Sequence, residues 1–374
     1  EINVEKDEHS FIVVKSFSVS ISMDQTQSFW DERVQQPHGG QSWRLCGRSF
    51  VEDFSVTTNG LGSPKAAVEA AHNALAGIHH YPAADCGDAV EALASFIQWP
   101  ASKLLLGNGA SELIDLVMRA APPGPHRVGP YPAAYMEYQR SADITGRRTM
   151  PWGDPAEAAV TVIIRPNSPT GDLMSLAQLE SVVTSSTGIT VVDESFLCFE
   201  GCQWRESSAL GLVDKFPDRL IVIQSWTKIW SCPGLRLGSV ACSDSWYIRL
   251  KSLQTPWSCN SIAQAFCVAA ARDFDYLNVT RSTLTIWKRR HLSLIIDQLG
   301  WKANLDCPEW VPWIFVDCDS EEVAQRASQL AQQAGCPVRW CASYGTPRFL
   351  RLGIRHPDAQ DALMAAWTPL QHGS

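Results

Sequence analysis

Three side chains in this sequence have types and settings that suit chemistry. Lys228 lies in Gln224-Ser-Trp-Thr-Lys-Ile-Trp-Ser-Cys-Pro-Gly-Leu-Arg-Leu-Gly238, beside hydroxyls and an arginine. An amine held so is a candidate Schiff-base nucleophile, because a nearby cation lowers its pKa and leaves more of it as the reactive free amine. Asp193 closes the apolar run Ile189–Val192, and Asn167 follows the run Val160–Ile164. A lysine, a carboxylate and a carboxamide near strand ends form one constellation, since ligands of open α/β sheets sit at the carboxyl ends of the strands. The bland readings are a solvated lysine, a helix cap at Asp193-Glu194 and a plain turn at Asn167. The motif around Lys228 counts against the first of these.

The elements that must position these groups are legible from residue 100 onward. Lys103–Leu106 reads as a short strand, Gly107-Asn108-Gly109 as a tight turn, and Ala110–Ala121 as a helix with Leu113, Leu116, Val117 and Ala120 on one face. Val160–Ile164, Ile189–Val192, Leu220–Ile223 and Leu237–Ala241 read as further buried strands, with a helix from Ser175. Short apolar strands alternating with helices indicate a parallel or mixed α/β sheet covered on both faces. The pattern changes near residue 260. Helices over Ile262–Ala271 and Tyr276–Leu299 precede strands at Trp313–Val316, Pro337–Trp340 and Phe349–Ile354 and helices at Glu321–Ala334 and Asp358–Trp367, a compact α+β module. We therefore expect an N-terminal arm over residues 1–61, a large domain over 62–259 and a small C-terminal domain over 260–374.

Composition bounds the function. The chain has 374 residues, 45% apolar and 19% charged, with a net charge of −8. That is a globular composition without a basic stripe, which argues against nucleic acid as a partner. No apolar run reaches the ~18 residues of a membrane span. The 12 cysteines are scattered without metal-type pairs, so we expect free thiols in a reducing cytoplasm and no metal site. The 15 tryptophans suggest core packing and an aromatic-lined site. Residues 1–22 read as an extension ahead of Met23 rather than a signal peptide.

The Lys228 motif S-x-T-K-x-x-x-x-P-G-L-R-x-G, preceded by N-x-P-T-G at Asn167 and V-V-D-E-S-F around Asp193, resembles the pyridoxal-phosphate (PLP) enzymes of the aspartate aminotransferase fold. The resemblance runs from about His38 to the C-terminus. It implies fold type I: a large domain with a mixed, mostly parallel sheet between helices, plus a small α+β domain. It makes Lys228 the Schiff-base lysine and general acid/base at Cα. Asp193 would face the pyridine nitrogen, and its charge would make the ring a better electron sink. Asn167 would bond the ring's phenolic oxygen. Ser225, Thr227 and Arg236 would bind the cofactor phosphate, with the free N–H groups of a helix N-terminus at Gly109, Ala110 and Ser111. Tyr135 would stack on the ring, with Tyr131 the alternative.

Within that group the chain resembles two related families, the histidinol-phosphate aminotransferases and the threonine-phosphate decarboxylases. His80-Tyr81-Pro82 with Asp85 resembles their shared Tyr-Pro-Asp stretch, which implies that Tyr81 reaches the PLP phosphate of a neighbouring subunit in a homodimer. Four details favour the decarboxylases. Pro37-His38-Gly39-Gly40 resembles their His-Gly-Gly, with Gln41 where they usually have Asn. Asp53-Phe54-Ser55-x-x-x-Asn59-x-Leu61-Gly62 resembles their D-F-S-x-x-x-N-P-L-G, with Gly60 for the proline. Phe196 stands where most of these aminotransferases carry tyrosine. Pro256-Trp257-Ser258-x-Asn260 resembles their P-W-S-x-N. The resemblance makes His38, Gly39, Gly40 and Asn59 substrate contacts. It gives the substrate carboxylate to Arg339 and Arg351, whose planar forks suit it. Arg355 is left between a phosphate contact and a surface charge. The expected activity is decarboxylation of L-threonine O-3-phosphate to (R)-1-aminopropan-2-yl phosphate for cobalamin assembly. The alternative is a histidinol-phosphate type aminotransferase using 2-oxoglutarate and glutamate. A non-catalytic PLP-binding regulator is the third class, but the ~40 residues before the motifs are too short and too little basic for a DNA-binding module.

Overall fold

The computed structural model describes residues 30–31, 35, 37–154 and 157–371. The extension over residues 1–22 and Met23 fall outside them. Six strands build the larger sheet: β1 Leu104–Asn108, β2 His126–Gly129, β3 Val160–Ile164, β4 Ile189–Asp193, β5 Leu220–Ser225 and β6 Leu237–Ala241. Their order is β1-β6-β5-β4-β3-β2. β2 to β5 pair in parallel, and β6 runs antiparallel to both β1 and β5. β1 therefore points the same way as β5, and the carboxyl ends of β1 to β5 share one edge.

β3, β4 and β5 are buried on both faces, so their sequences are near-continuous apolar runs. Alternate residues feed two cores. Ile163, Val192 and Val222 face one, with the tryptophans, while Val162, Val191 and Ile221 face the other with the Gly109–Ala120 helix.

The smaller sheet is antiparallel. It comprises β7 Lys302–Ala303, β8 Trp313–Asp317, β9 Arg339–Trp340 and β10 Phe349–Gly353, in the order β7-β8-β10-β9. The 25-residue helix Asp275–Leu299 leads into it. The Ser261–Ala270 helix lies past the expected domain boundary at 260, yet it packs on the helices Lys65–Ala74 and Gly87–Ile97 of the large domain. Its apolar face carries Phe266 and Cys267, which are buried in that contact.

The tryptophans are mainly core. Trp204, Trp226, Trp230, Trp313 and Trp367 are fully buried. Trp226 donates to Ser239 Oγ, Trp313 to the Pro169 carbonyl and Trp367 to the Ala327 carbonyl, whereas the Trp204 indole N–H is buried without an acceptor. All 12 cysteines are free thiols. Among the described residues no group of acids, histidines and cysteines could hold a metal, and no helix is long and apolar enough to cross a membrane.

Candidate active site

The carboxyl edge of the large sheet gathers the expected constellation. Strand register explains how. Asn108 pairs with Leu237 and Ser225 with Gly238, so Gly109 and Arg236 meet between β1 and β5. Gly109 has φ +79° and opens the Gly109–Ala120 helix. A Cβ there would lie 2.4 Å from Arg236 Nη2, so only glycine lets the guanidinium lie against the helix N-terminus. Ser225 Oγ and Thr227 Oγ1 are 2.7 Å apart, and Lys228 Nζ donates to Thr227 Oγ1 at 3.3 Å. Helix N–H groups, two hydroxyls and a guanidinium thus come to the same strand edge, a set of donors that suits an anion.

Lys228 sits in the short helix Trp226–Ile229. Burial, then Arg236 and Arg351, push its pKa down to about 8, against an opposing pull from Asp193. Asp193 ends β4 and is buried. Its Oδ1 accepts from Ser195 N and its Oδ2 from the Tyr138 hydroxyl, each at 2.9 Å. Burial raises this carboxyl's pKa, while those donors and Lys228 pull it back. Asn167 Nδ2 donates to the Ala133 carbonyl and to Thr170 Oγ1, both at 2.8 Å. Donation to a further oxygen therefore requires one of these bonds to be shared, and the Thr170 hydroxyl is the one that can turn.

Of the two candidate tyrosines, Tyr135 lies beside Ser111 and Tyr138. Its side chain bonds Ser111, and its ring stands against Tyr138 at 6.5 Å. Tyr131, the alternative, is influenced instead by Asp172 and Arg165. The arm reaches the same place. His38 lies 5.8 Å from the Tyr135 ring, and its Nε2 bonds Glu137 Oε1 at 2.8 Å. Glu137 is held in turn by Arg140, and Arg140 by Asp115. Gly39 presses on the Ser55 backbone, where a Cβ would come within 2.3 Å of the carbonyl oxygen, and Gly40 N donates to Ser55 Oγ.

Arg339 and Arg351 are direct cross-strand partners on β9 and β10. Like charges placed so repel unless an anion lies between them. Arg351 spends Nη1 on Ser168 Oγ and Nη2 on the Ser55 carbonyl. Arg339 spends Nη2 on Pro37 O and Ser343 Oγ. The Nε of each is buried without a partner. Unpaired buried donors are costly, and these two await an acceptor.

Two expectations need correction, and one residue lies apart. Asn59 is not poised for substrate. Its carboxamide nitrogen is taken up by the Ile229 carbonyl, Tyr276 Oη and Thr280 Oγ1, tying the arm to the long helix. Its backbone N–H holds the Lys228 carbonyl at 2.9 Å, so it positions the lysine's loop. Arg355 is neither a surface charge nor a free phosphate contact. It is buried and donates to carbonyls of Asp53, Val56, Thr58 and Ile354. Tyr81 is not brought to Lys228 within one chain. It is 80% exposed and lies 4.7 Å from the Trp257 ring.

The sequence offered no sign of Tyr138, Glu137 or Arg165 as site supports. Arg165 forms a buried ion pair with Glu194 at 2.7 Å, next to Asp193. Phe196 is buried edge-on to Trp313 at 4.6 Å and offers no hydroxyl to the site.

Residues 52–366 match the model of the aminotransferase class I and II family. The chain belongs to that family. It is 29% identical to the histidinol-phosphate aminotransferase of Symbiobacterium thermophilum, over 86% of this chain and 92% of that one. It is 28% identical to the threonine-phosphate decarboxylase of Salmonella typhimurium, over 84% and 89%. The solved histidinol-phosphate aminotransferase of Sinorhizobium meliloti with pyridoxal-5'-phosphate shares the fold, with a TM-score of 0.78 at 19% identity over 95% of this chain and 98% of that one. The family's cofactor is PLP, and the edge fits it. Gly109, Ala110, Ser111, Ser225, Thr227 and Arg236 would hold its phosphate. Asp193 would meet its ring nitrogen, Tyr135 its face and Lys228 its aldehyde carbon.

Proposed function

We propose that this enzyme decarboxylates a small phosphorylated amino acid, L-threonine O-3-phosphate, releasing CO2 and (R)-1-aminopropan-2-yl phosphate. The Arg339–Arg351 pair carries the reading. It offers a substrate carboxylate two cross-strand arginines whose buried Nε donors have no other partner. The His38-Gly39-Gly40 arm, folded against Tyr135, adds a second place for anionic charge on the same substrate. Phe196 favours this reading over transamination, because it replaces the tyrosine hydroxyl expected of most such aminotransferases.

Bound PLP supplies an electron sink for the bond broken at the substrate's Cα. The protein decides the rest. Arg339 and Arg351 would fix the substrate's carboxylate and with it which bond at Cα is broken. Asp193 holds charge opposite the ring nitrogen. Lys228 Nζ returns a proton to Cα. The small sheet, which brings Arg351 to Ser168 beside this edge, would help keep water from the reacting Cα. We further propose a homodimer in which Tyr81 of each chain serves its neighbour's phosphate position. The exposed Tyr81–Trp257 pair supports this, being two aromatic rings that no site of their own chain uses.

Histidinol-phosphate type transamination is the second reading, favoured by the similarity to the Symbiobacterium relative. PLP-loaded protein incubated with O-phospho-L-threonine and no keto acid separates the two. Aminopropanol phosphate and CO2, identified by mass spectrometry, support decarboxylation. Their absence, with glutamate formed from histidinol phosphate and 2-oxoglutarate, overturns it.

A further inference from the structure

Asp193 would stand opposite the ring nitrogen, yet a buried carboxylate has no intrinsic reason to stay charged. Removal from water favours its neutral form, and only donors or cations restore the charge. Asp193 is 4% exposed. The titratable groups facing it are Tyr138 and Tyr135 from the segment before and within the Glu137–Ile144 helix, and Lys228 from beyond β5. Of these groups only Tyr138 hydrogen-bonds the carboxylate: its hydroxyl donates to Oδ2 at 2.9 Å, and Ser195 adds its backbone N–H, on Oδ1, and its side chain. Together these bonds fix the plane of the carboxylate as well as its charge, and Tyr138 is the one held on Oδ2. Tyr138 is itself 1% exposed and braced by the Tyr135 ring, so it has no freedom to leave.

We propose that Tyr138 is a positioning residue that sets the orientation and charge of Asp193 toward the cofactor's ring nitrogen. It touches neither substrate nor reacting atoms, and it acts through Asp193. One short segment, the last residues before the Glu137–Ile144 helix and its first turn, then serves two walls of the site, with Tyr135 at the ring face and Tyr138 the support behind the ring nitrogen. The inference rests on PLP use and holds whichever bond at Cα is broken, so its failure is separable from failure of the decarboxylase reading.

The test is Tyr138→Phe in the PLP-loaded enzyme, which keeps the ring and removes only the hydroxyl. With Oδ2 unpaired, Asp193 loses charge, the ring nitrogen loses its proton, and the proton on the Lys228 nitrogen is held more tightly. The pH midpoint of the bound cofactor's visible absorption band should rise by about one unit. The 15N shift of cofactor labelled at the ring nitrogen should move toward the unprotonated value. kcat should fall about tenfold with little change in KM, the lower range for losing a group that orients a functional ligand. Incorporation of 3-fluorotyrosine at 138 supplies a stronger donor and should move the midpoint the opposite way, which a packing role would not do. It also keeps the test decisive if Tyr138→Phe folds poorly. An unmoved midpoint and ring-nitrogen shift in the variants that fold overturn the proposal.

Discussion

Lys228 owes its reactivity to its neighbours. An ordinary lysine near pH 10.5 is almost wholly protonated at neutral pH, whereas one at about 8 has roughly a tenth of its amine free at pH 7. The sign has two consequences. Capture of PLP by the cofactor-free protein should accelerate as pH rises through about 8, and stopped-flow absorbance would show that midpoint. A midpoint above 10 would mean that neither burial nor the charges of Arg236 and Arg351 lower the amine's pKa. Because the folded chain binds fewer protons than the unfolded one between about 8 and 10.5, this lysine also costs stability below pH 8 and ceases to do so as pH rises through that window. The lysine, Asp193 and Asn167 were legible in the sequence because each closes or follows a recognisable strand, and Arg236, just before β6, because it stands in the motif around Lys228. Tyr138 and Glu137 were not, because their partners Asp193 and His38 lie 55 and 99 residues away and only the fold pairs them. Arg351 belongs at this scale as well. Arg351→Ala should raise KM for the phosphorylated substrate by roughly 10- to 100-fold, the worth of a charge-assisted bond, with a smaller effect on kcat. Steady-state kinetics with KM and kcat both unchanged would remove it from the carboxylate site.

Elements place these groups, and the legible ones are those whose pattern is strong. β3, β4 and β5 announce themselves as apolar runs because both faces are covered. β2 does not. His126-Arg-Val-Gly129 has one large apolar residue and forms the sheet's edge, so no run marks it. The Lys65–Ala74 helix is similarly silent, since its only large apolar residue, Val68, is half exposed and alanines make up its buried side. A device between elements was invisible too. Arg165, just past β3, pairs with Glu194, just past β4, and also donates to the Met174 carbonyl. The pair locks the loop carrying Asn167 to the strand end carrying Asp193. Arg165→Met should destabilise the protein by about 3–5 kcal/mol in urea unfolding, because it strands the buried Glu194 carboxylate. Arg165→Met with Glu194→Leu should recover much of that loss. A single variant within about 1 kcal/mol of wild type would show that water or another donor satisfies Glu194.

At the scale of the whole molecule, the proposed homodimer rests on one feature of the single chain. Tyr81 and Trp257 expose a pair of facing aromatic rings, and Trp257 holds φ +58°, which is unusual for so bulky a residue. Such an exposed aromatic surface suits an interface. If Tyr81 completes the phosphate position of its neighbour, the two functions divide between chains, and this division can be tested by mixing. Lys228→Ala abolishes its own chain's site, and Tyr81→Ala impairs the neighbour's. A mixed dimer then has one site with both defects and one site with neither, so activity returns when two inactive variants are unfolded together and refolded. Half of the dimers are mixed after random exchange, and each has one of its two sites intact, so recovery should approach about a quarter of wild type. If Tyr81 acts within its own chain, or not at all on the phosphate, every site in every dimer keeps the defects of its own chain. The mixture would then show no gain over the sum of the two variants measured apart, and the shared site would be refuted while the assignments of Lys228 and Asp193 stood.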